Sequence, residues 1–212
     1  MRPWKLAETN YGTVKQLKYE VAVVPFGATE PHNLHLPYGI DALEGDTIGE
    51  RICEAAYGQG AKVVLLPTLP YGTQTNQMKF PLAMNLNPST LGLVITDLVD
   101  SLVQHGILKI VLLNSHGGNE LKPVLRELYG KTKAHLFLCN WYTVFDDVYD
   151  EIFQERTTTP GKWKPPLPWP TIRTSSPATP TGRSPRMKAR RPRPASRRST
   201  AAGSPSRGRG TC

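Results

Sequence analysis

Four short apolar segments along the chain predict β-strands that are buried on both faces. They comprise residues 20–27, 62–66, 108–114 and 134–139. Each is a nearly continuous apolar run rather than a regular alternation of apolar and polar positions, which is the pattern of strands covered by helices on both sides. The chain therefore has the pattern of a layered fold in which a sheet lies between helices.

Longer segments between these strands and after the last one have apolar residues every three to four positions and predict helices. They comprise residues 41–57, 87–105, 120–129 and 142–154. The second helix begins with Asn87-Pro88-Ser89-Thr90, so we expect the Asn87 side chain to cap it and Pro88 to take the first helical position.

Strands that alternate with helices at this spacing predict right-handed βαβ crossovers and a mostly parallel sheet, so the fold class is α/β. In such sheets, ligands bind beyond the carboxyl ends of the strands. Residues 68–87 form a long connection that leaves the second strand at that end and is rich in Gly, Thr, Asn and Gln. Loops of this length in a compact domain are usually functional, and we expect some of its residues to contact a substrate.

Charge divides the chain into two parts. Residues 1–155 hold 12 Lys and Arg and all 17 Asp and Glu, whereas residues 156–212 hold the other 14 basic residues and no acidic one. The net charge of +9 is therefore a property of the tail, and it gives no indication of a specific nucleic-acid site in the first part. We expect one domain over residues 1–155 and a disordered basic tail over residues 156–212.

The cysteines and the apolar runs indicate where the protein is found. Three cysteines, at positions 53, 139 and 212, lack the spacing of zinc sites or disulfide frameworks, and the first two lie in apolar surroundings as buried free thiols. The N-terminal residues have no apolar signal-peptide core, and no run of about 18 apolar residues exists. We therefore expect a cytoplasmic protein that does not bind membranes.

Two polar motifs directly follow predicted strands. The first, EPHNLHLPYGID, holds Glu30, His32, His35 and Asp41, and the second, HGGN, begins with His116. Carboxylate and imidazole groups are the ligands that zinc, manganese and iron use in catalytic sites. Because both motifs follow the carboxyl ends of strands in a parallel sheet, we expect their side chains to meet at one edge.

Each motif also has a structural interpretation. Asp41 stands at a helix start, where a carboxylate can simply cap the helix, and His116 before two glycines can be a turn residue. The two histidines of the first motif lie between Pro31 and Pro37. Because these prolines exclude a regular helix, neither histidine ring can belong to the apolar face of a helix.

The pattern E-x-H-x-x-H-L-P-x-x-x-D followed by HGGN resembles that of the creatininase (creatinine amidohydrolase) family over about residues 15–155. The resemblance implies a binuclear metal site in an α/β/α sandwich, usually assembled as a homo-oligomer, a hexamer. It implies that Glu30, Asp41 and His116 hold the first ion, and that His32 and Asp41 hold the second, with Asp41 bridging the two. His35 would lie in the layer behind the ligands or contact the substrate.

The chain departs from the family pattern at several positions. Asn33 replaces the usual Gly between the two histidines, and Gly118 replaces the Glu that creatinine hydrolases proper carry. Glu120 is near, but it begins a predicted helix. A later family motif, HAGxxETS, would supply the missing carboxylate and an acid/base His, and the sequence does not contain it.

The function that the resemblance implies is a metal-dependent hydrolase that cleaves a C–N bond of a cyclic or linear amide with a metal-activated water. Its cofactors would be two divalent ions of zinc, manganese or iron, and its partner a small-molecule amide. We predict substrate contact by Gly117, Gly118 and Asn119, because glycines let the backbone approach a ligand closely. We also predict it for Thr75 and Asn76 in the long loop, where capping of turns is the alternative.

The tail has the composition of a segment read out of frame. Residues 157–212 contain 11 of the 20 prolines. Trp163 has the single codon TGG and Lys164 begins with AA, so a shifted frame gives GAA, which encodes glutamate. With permitted codons, residues 157–166 reread as DHAGEMETS, which matches the missing motif. The alternative function is therefore a catalytically inactive, frameshifted remnant with a C-terminally incomplete sheet and a disordered basic tail.

Overall fold

The computed structural model describes residues 1–144, which form a single sheet with helices packed on it. The strands are β1 (Val21–Phe26), β2 (Val63–Leu65), β3 (Lys109–Asn114) and β4 (His135–Asn140). The helices are α1 (Tyr11–Val14), α2 (Ile40–Gly58), α3 (Pro88–Gln104) and α4 (Lys122–Leu128). The predicted tail, and the predicted last helix from residue 145 onward, lie outside the described residues.

The four strands lie in the order β2-β1-β3-β4 and are parallel throughout, which confirms the predicted α/β class. The order reverses between β1 and β3, because β2 lies on one side of β1 and the later strands lie on the other. Phe26 lies opposite Asn114, and Asn114 lies opposite Asn140, so three strands end side by side at the carboxyl edge. A reversal of this kind opens a crevice at that edge, where α/β sheets bind ligands.

Apolar side chains fill both faces of the sheet. On one face, Ala22, Val24 and Phe26 of β1 belong to the same core cluster as the apolar stripe of α3. On the other face, Val23 packs in a cluster with Cys53 of α2. Cys53 is a buried free thiol, as predicted, and its burial raises its pKa to about 12, whereas Cys139 is a free thiol that is only half-buried. The two clusters confirm the sandwich architecture.

Two helix starts differ from the sequence prediction. Asn87 precedes α3, but its side-chain oxygen accepts a hydrogen bond from Asn85 Nδ2 at 3.2 Å and makes no bond to the helix. The predicted side-chain cap is therefore wrong, whereas Pro88 does take the first helical position. Helix α4 begins at Lys122 rather than at residue 120. Within residues 1–144, no helix has the length and apolar character needed to cross a membrane.

The N-terminal segment covers part of the outer edge of β2, which the apolar pattern does not reveal. The buried Trp4 presents its carbonyl to the Leu65 N–H at 2.7 Å. The Tyr19 hydroxyl donates a hydrogen bond to the Pro3 carbonyl at 2.6 Å. An open strand edge promotes aggregation, so the segment protects the sheet on this side.

Ion pairs hold this segment against α2. Arg2 pairs with Glu8 in the segment and, at 2.6 Å, with Glu50 of α2, and Lys5 also pairs with Glu50. The hydrogen bond from Arg2 lowers the pKa of Glu8 to about 2. Burial opposes the ionisation of Glu50, but hydrogen bonds from Arg2 and Lys5 outweigh it and lower the pKa of this carboxyl.

Acid should release the N-terminal segment. Because both carboxyls have folded-state pKa values below the ordinary value of 4.5, their stabilisation is complete above that value and is lost as the pH falls through the lowered pKa of each carboxyl. At neutral pH, Glu50→Gln should mimic this loss and speed thermolysin cleavage of the first residues, mapped by mass spectrometry. Glu54→Gln, at an exposed position of the same helix, is the control. Equal cleavage of the two variants would show that the ion pairs do not hold the segment.

Candidate metal centre

The two motifs meet where β1 and β3 end. The Ser115 N–H after β3 donates to the Phe26 carbonyl at 2.9 Å, and the Ser115 hydroxyl lies 2.8 Å from the Phe26 and Asp41 carbonyls. Gly27 after β1 has no room for a side chain, because a Cβ there would lie 2.6 Å from the Ala42 backbone. This close approach places the first turn of α2 directly against the strand end.

Four side chains from these motifs converge in one buried cluster. Glu30 Oε1 lies 3.5 Å from His32 Nε2 and 3.4 Å from His116 Nδ1. Asp41 Oδ1 lies 3.3 Å from His32 Nε2, and Asp41 Oδ2 lies 3.0 Å from His116 Nδ1. Since both ring nitrogens lie within 3.5 Å of the same Glu30 oxygen, they are at most about 7 Å apart. All four residues are at most 5% exposed.

Backbone carbonyls fix which nitrogen of each ring faces the carboxylates. His32 Nδ1 lies 3.1 Å from the Glu30 carbonyl, and His116 Nε2 lies 3.0 Å from the Thr73 carbonyl. A carbonyl only accepts hydrogen bonds, so each of these nitrogens carries its proton. In the neutral form of each ring, the opposite nitrogen then presents a lone pair to Glu30 and Asp41. Imidazoles that are oriented in this way by their second nitrogen are typical metal ligands.

The cluster fits a divalent cation. Two buried carboxylates and two imidazole lone pairs directed at one another are unfavourable without a positive charge between them. Glu30, His32 and Asp41 each offer one atom, and these three atoms all lie within 4.8 Å of one another. Burial opposes a charged His116. In the protonated ring, however, Nδ1 donates to Asp41, and this bond together with the charges of Glu30 and Asp41 outweighs burial and raises the pKa of His116. The donor set therefore attracts a cation, either a proton or a metal.

Asp41 does not cap α2. The residue before the helix is Gly39, no side chain caps the first turn, and the carboxylate of Asp41 points to the cluster. Its two oxygens face different imidazoles, which is the arrangement that a carboxylate bridging two ions requires. The structural interpretation of Asp41 as a cap alone is therefore wrong.

The turn that carries His116 depends on Gly118. A Cβ at this position would lie 2.2 Å from the Thr73 carbonyl oxygen and 2.4 Å from His116 Nε2, the two atoms of the bond that orients the ring. No side chain fits this space, so the backbone as folded excludes the Glu that creatinine hydrolases proper carry here. Glu120 is exposed.

Asn119 joins the loops that follow three strands. Its Oδ1 accepts a hydrogen bond from the Thr73 N–H at 2.9 Å, and its Nδ2 lies 3.3 Å from the Gly27 carbonyl. Nδ2 also donates to Asn114 Oδ1 at 3.2 Å, and Asn114 is fully buried. Asn119 is 4% exposed, so this placement favours a role in holding Thr73 beside His116 over the predicted contact with substrate.

The remaining predicted residues lie at the surface, and their contact with substrate stays a prediction. His35 is exposed, which places it outside the buried layer behind the ligands, and Gly117 is exposed as well. Thr75 and Asn76 are exposed in a short 3-10 turn of the long loop. The Thr75 hydroxyl lies 3.3 Å from Asn85 Oδ1.

Three groups at the cluster were not identified by the motifs. The Thr73 carbonyl orients His116, and the Gln77 amide donates to Glu30 Oε2 at 2.6 Å. The Tyr142 hydroxyl lies 3.4 Å from Asn114 Nδ2, and burial together with the charge of Asp41 raises its pKa. A backbone carbonyl leaves no signal in a sequence, and Gln77 was only one of several polar residues in the loop.

Known proteins resemble this chain in sequence and in fold. Residues 7–163 match the model of the family Creatininase, described as creatinine amidohydrolase. A creatinine amidohydrolase of Pseudomonas putida is 31% identical over 106 residues, which are 48% of this chain and 39% of the relative. A candidate creatinine amidohydrolase of Bacteroides fragilis NCTC 9343 has a TM-score of 0.66 and 32% identity over 72% of this chain and 61% of that one. The matches thus span less than two thirds of both relatives.

Creatininase structures share the fold at lower identity. One solved with manganese has a TM-score of 0.60 and 22% identity over 74% of this chain and 66% of that chain. A creatininase mutant of the Zn–Zn type has a TM-score of 0.60 and 24% identity over 75% of this chain and 67% of that chain.

Gly118→Ala should disturb the cluster more than an ordinary surface substitution. The added Cβ must displace the Thr73 carbonyl or the His116 ring, so the hydrogen bond between them breaks. We expect affinity for Mn²⁺, measured by titration calorimetry, to fall about 10–100-fold, as it does when the partner of a ligating His is lost. Gly117→Ala is the matched control, because a Cβ at position 117 meets no atom within 4 Å. Equal affinities of both variants would contradict this role of Gly118.

Proposed function

This chain belongs to the creatininase family, and from that membership we propose that it is a metal-dependent hydrolase that cleaves a C–N bond of a cyclic or linear amide. The observation that carries the proposal is the convergence of Glu30, His32, Asp41 and His116 in a buried cluster. Both imidazoles direct lone pairs at both carboxylates, as metal ligands do.

We propose two divalent ions as cofactors. Creatininases have been solved with manganese and in a Zn–Zn type, and carboxylate and imidazole ligands also suit iron. Glu30, Asp41 Oδ2 and His116 would hold one ion, and His32 with Asp41 Oδ1 would hold the other. When bound, such ions lower the pKa of water toward neutrality and polarise a carbonyl group.

The residues of this chain prepare the site for that chemistry. Burial of the four side chains excludes bulk water, which strengthens their attraction for a cation. The carbonyls of Glu30 and Thr73 keep each imidazole in the tautomer that leaves its ligating nitrogen unprotonated. His35, Thr75 and Asn76 are exposed in the loops around the cluster, and we propose that they contact the substrate.

The substrate we propose is a small amide other than creatinine. A creatininase mutant has been solved in complex with creatine, which gives the size of molecule that this fold accepts. Position 118 of this chain cannot hold the Glu of creatinine hydrolases proper, because a Cβ there collides with Thr73 and His116. We further propose a homo-oligomer, as the family resemblance implies, and a cytoplasmic location, which was expected from the sequence on separate grounds.

The second candidate is an inactive remnant. It is favoured by the composition of residues 156–212, which contain no acidic residue and no histidine, so that they supply neither the carboxylate nor the acid/base His of the expected motif. A frame-restored chain, in which residues from 157 onward are encoded in the shifted frame, separates the two candidates.

The proposal predicts amide hydrolysis that requires a divalent metal. Both chains, the one as written and the frame-restored one, should be assayed with Mn²⁺ or Zn²⁺ on creatinine, a formamide and a cyclic amide. Asp41→Asn should reduce hydrolysis strongly. The reduction should exceed the loss of about 10–100-fold that is typical when a residue behind a metal ligand is replaced. Asp97→Asn, at an exposed position of α3, should not change it.

The outcomes distinguish the alternatives. Activity of the frame-restored chain alone would identify the chain as written as the remnant. Failure of both chains to hydrolyse any amide, with metal bound, would contradict the proposed activity. Fast hydrolysis of creatinine and of no other amide would contradict the substrate proposal.

A further inference from the structure

Gln77 contacts the candidate metal cluster from a segment that holds none of its ligands. It ends the 3-10 turn Thr75–Gln77 in the loop after β2, and it is half-buried. Its Nε2 donates to Glu30 Oε2 at 2.6 Å. This contact with a candidate ligand is a further role, in addition to the contact with substrate and the capping of turns that were expected for polar residues of this loop.

The turn that carries Gln77 is fixed to the residue before Glu30. The Gln77 N–H donates to the Gln74 carbonyl at 2.9 Å. Gln74 is 1% exposed, and its Nε2 donates to the Thr29 carbonyl at 2.9 Å and to the Met84 carbonyl. The Met84 N–H in turn donates to the Thr29 carbonyl at 3.0 Å. Gln77 therefore reaches Glu30 from a backbone that is anchored on both sides of the loop.

Because of this hydrogen bond, the two carboxylate oxygens of Glu30 have different partners. An ionised carboxylate only accepts hydrogen bonds, so the amide nitrogen of Gln77 faces it. Oε2 is occupied by Gln77, while Oε1 lies 3.5 Å from His32 and 3.4 Å from His116. Hydrogen bonds to a charged acceptor are about twice as strong as neutral ones, so the amide restrains rotation of the Glu30 carboxylate.

We propose that Gln77 is a positioning residue that directs a single oxygen of Glu30 into the metal centre. This inference rests on the proposed function, because it assumes that the cluster binds metal. Without the amide, the Glu30 side chain can rotate and present both oxygens to the cluster, or turn Oε1 away from the imidazoles. The loop after β2 thereby sets metal affinity without supplying a ligand.

Gln77→Met tests the proposal, since it keeps the length of the side chain and removes the donor. We expect titration calorimetry on the full chain to show Mn²⁺ affinity reduced about 10–100-fold, the usual effect of losing a partner of a metal ligand. The electron paramagnetic resonance spectrum of bound Mn²⁺ should also change, because the Glu30 oxygens are no longer distinguished. Gln104→Met, at an exposed position of α3, is the matched control and should match wild type in both measurements.

Circular dichroism and thermal unfolding in excess EDTA separate this effect from misfolding. We expect Gln77→Met and Gln104→Met to unfold at the same temperature without metal. A second variant, Gln77→Leu, which also removes the donor, should reproduce the loss of affinity if Gln77→Met is poorly folded. Wild-type affinity and an unchanged spectrum in a folded donor-free variant would overturn the role of Gln77 alone. Failure of wild type and Gln104→Met to bind Mn²⁺ or Zn²⁺ would instead overturn the proposed function on which it rests.

Discussion

The structure depends on placing two carboxylates, Glu30 and Asp41, where water scarcely reaches them. Both are at most 2% exposed, and their oxygens face the same two imidazoles. Burying a carboxylate without a compensating charge is costly, and burying two together is more so. The rest of the edge makes this arrangement possible by holding both rings with their protons turned away. The site therefore favours a cation. Binding of that cation stabilises the folded geometry of the site, so folding and cation affinity are coupled.

Three loops hold and orient the side chains of the cluster, because the sheet order brings three strand ends together. The loop after β1 supplies Glu30 and His32, and the turn after β3 supplies His116. The loop after β2 supplies no ligand, yet its Thr73 carbonyl and Gln77 amide each orient one. Hydrogen bonds through the buried side chain of Asn119 join all three loops. Ligands from two loops are therefore held at fixed separations by a third.

The layers and the cluster could be predicted from the sequence. The layers follow from apolar runs that recur along the chain, and the cluster follows from candidate ligands that are concentrated in two motifs. Continuous apolar runs located all four strands, and the placement of motifs after strands located the edge where they meet. The prediction failed where a side chain had a choice of nearby partners, since Asn87 bonds to Asn85 instead of capping α3. The burial of Asn119 could not be predicted either, because its partners Thr73 and Gly27 lie in other loops. Its contact with substrate stays a prediction.

The filled space around Gly118 links the identity of this residue to a loop that is distant in sequence. A side chain at position 118 needs the Thr73 carbonyl to move away, and His116 then needs another acceptor for its proton. A single substitution of Gly118 therefore disturbs the orientation of the His116 ring unless the loop after β2 changes with it. The residue that position 118 can hold is consequently decided more than 40 residues earlier in the chain, at Thr73.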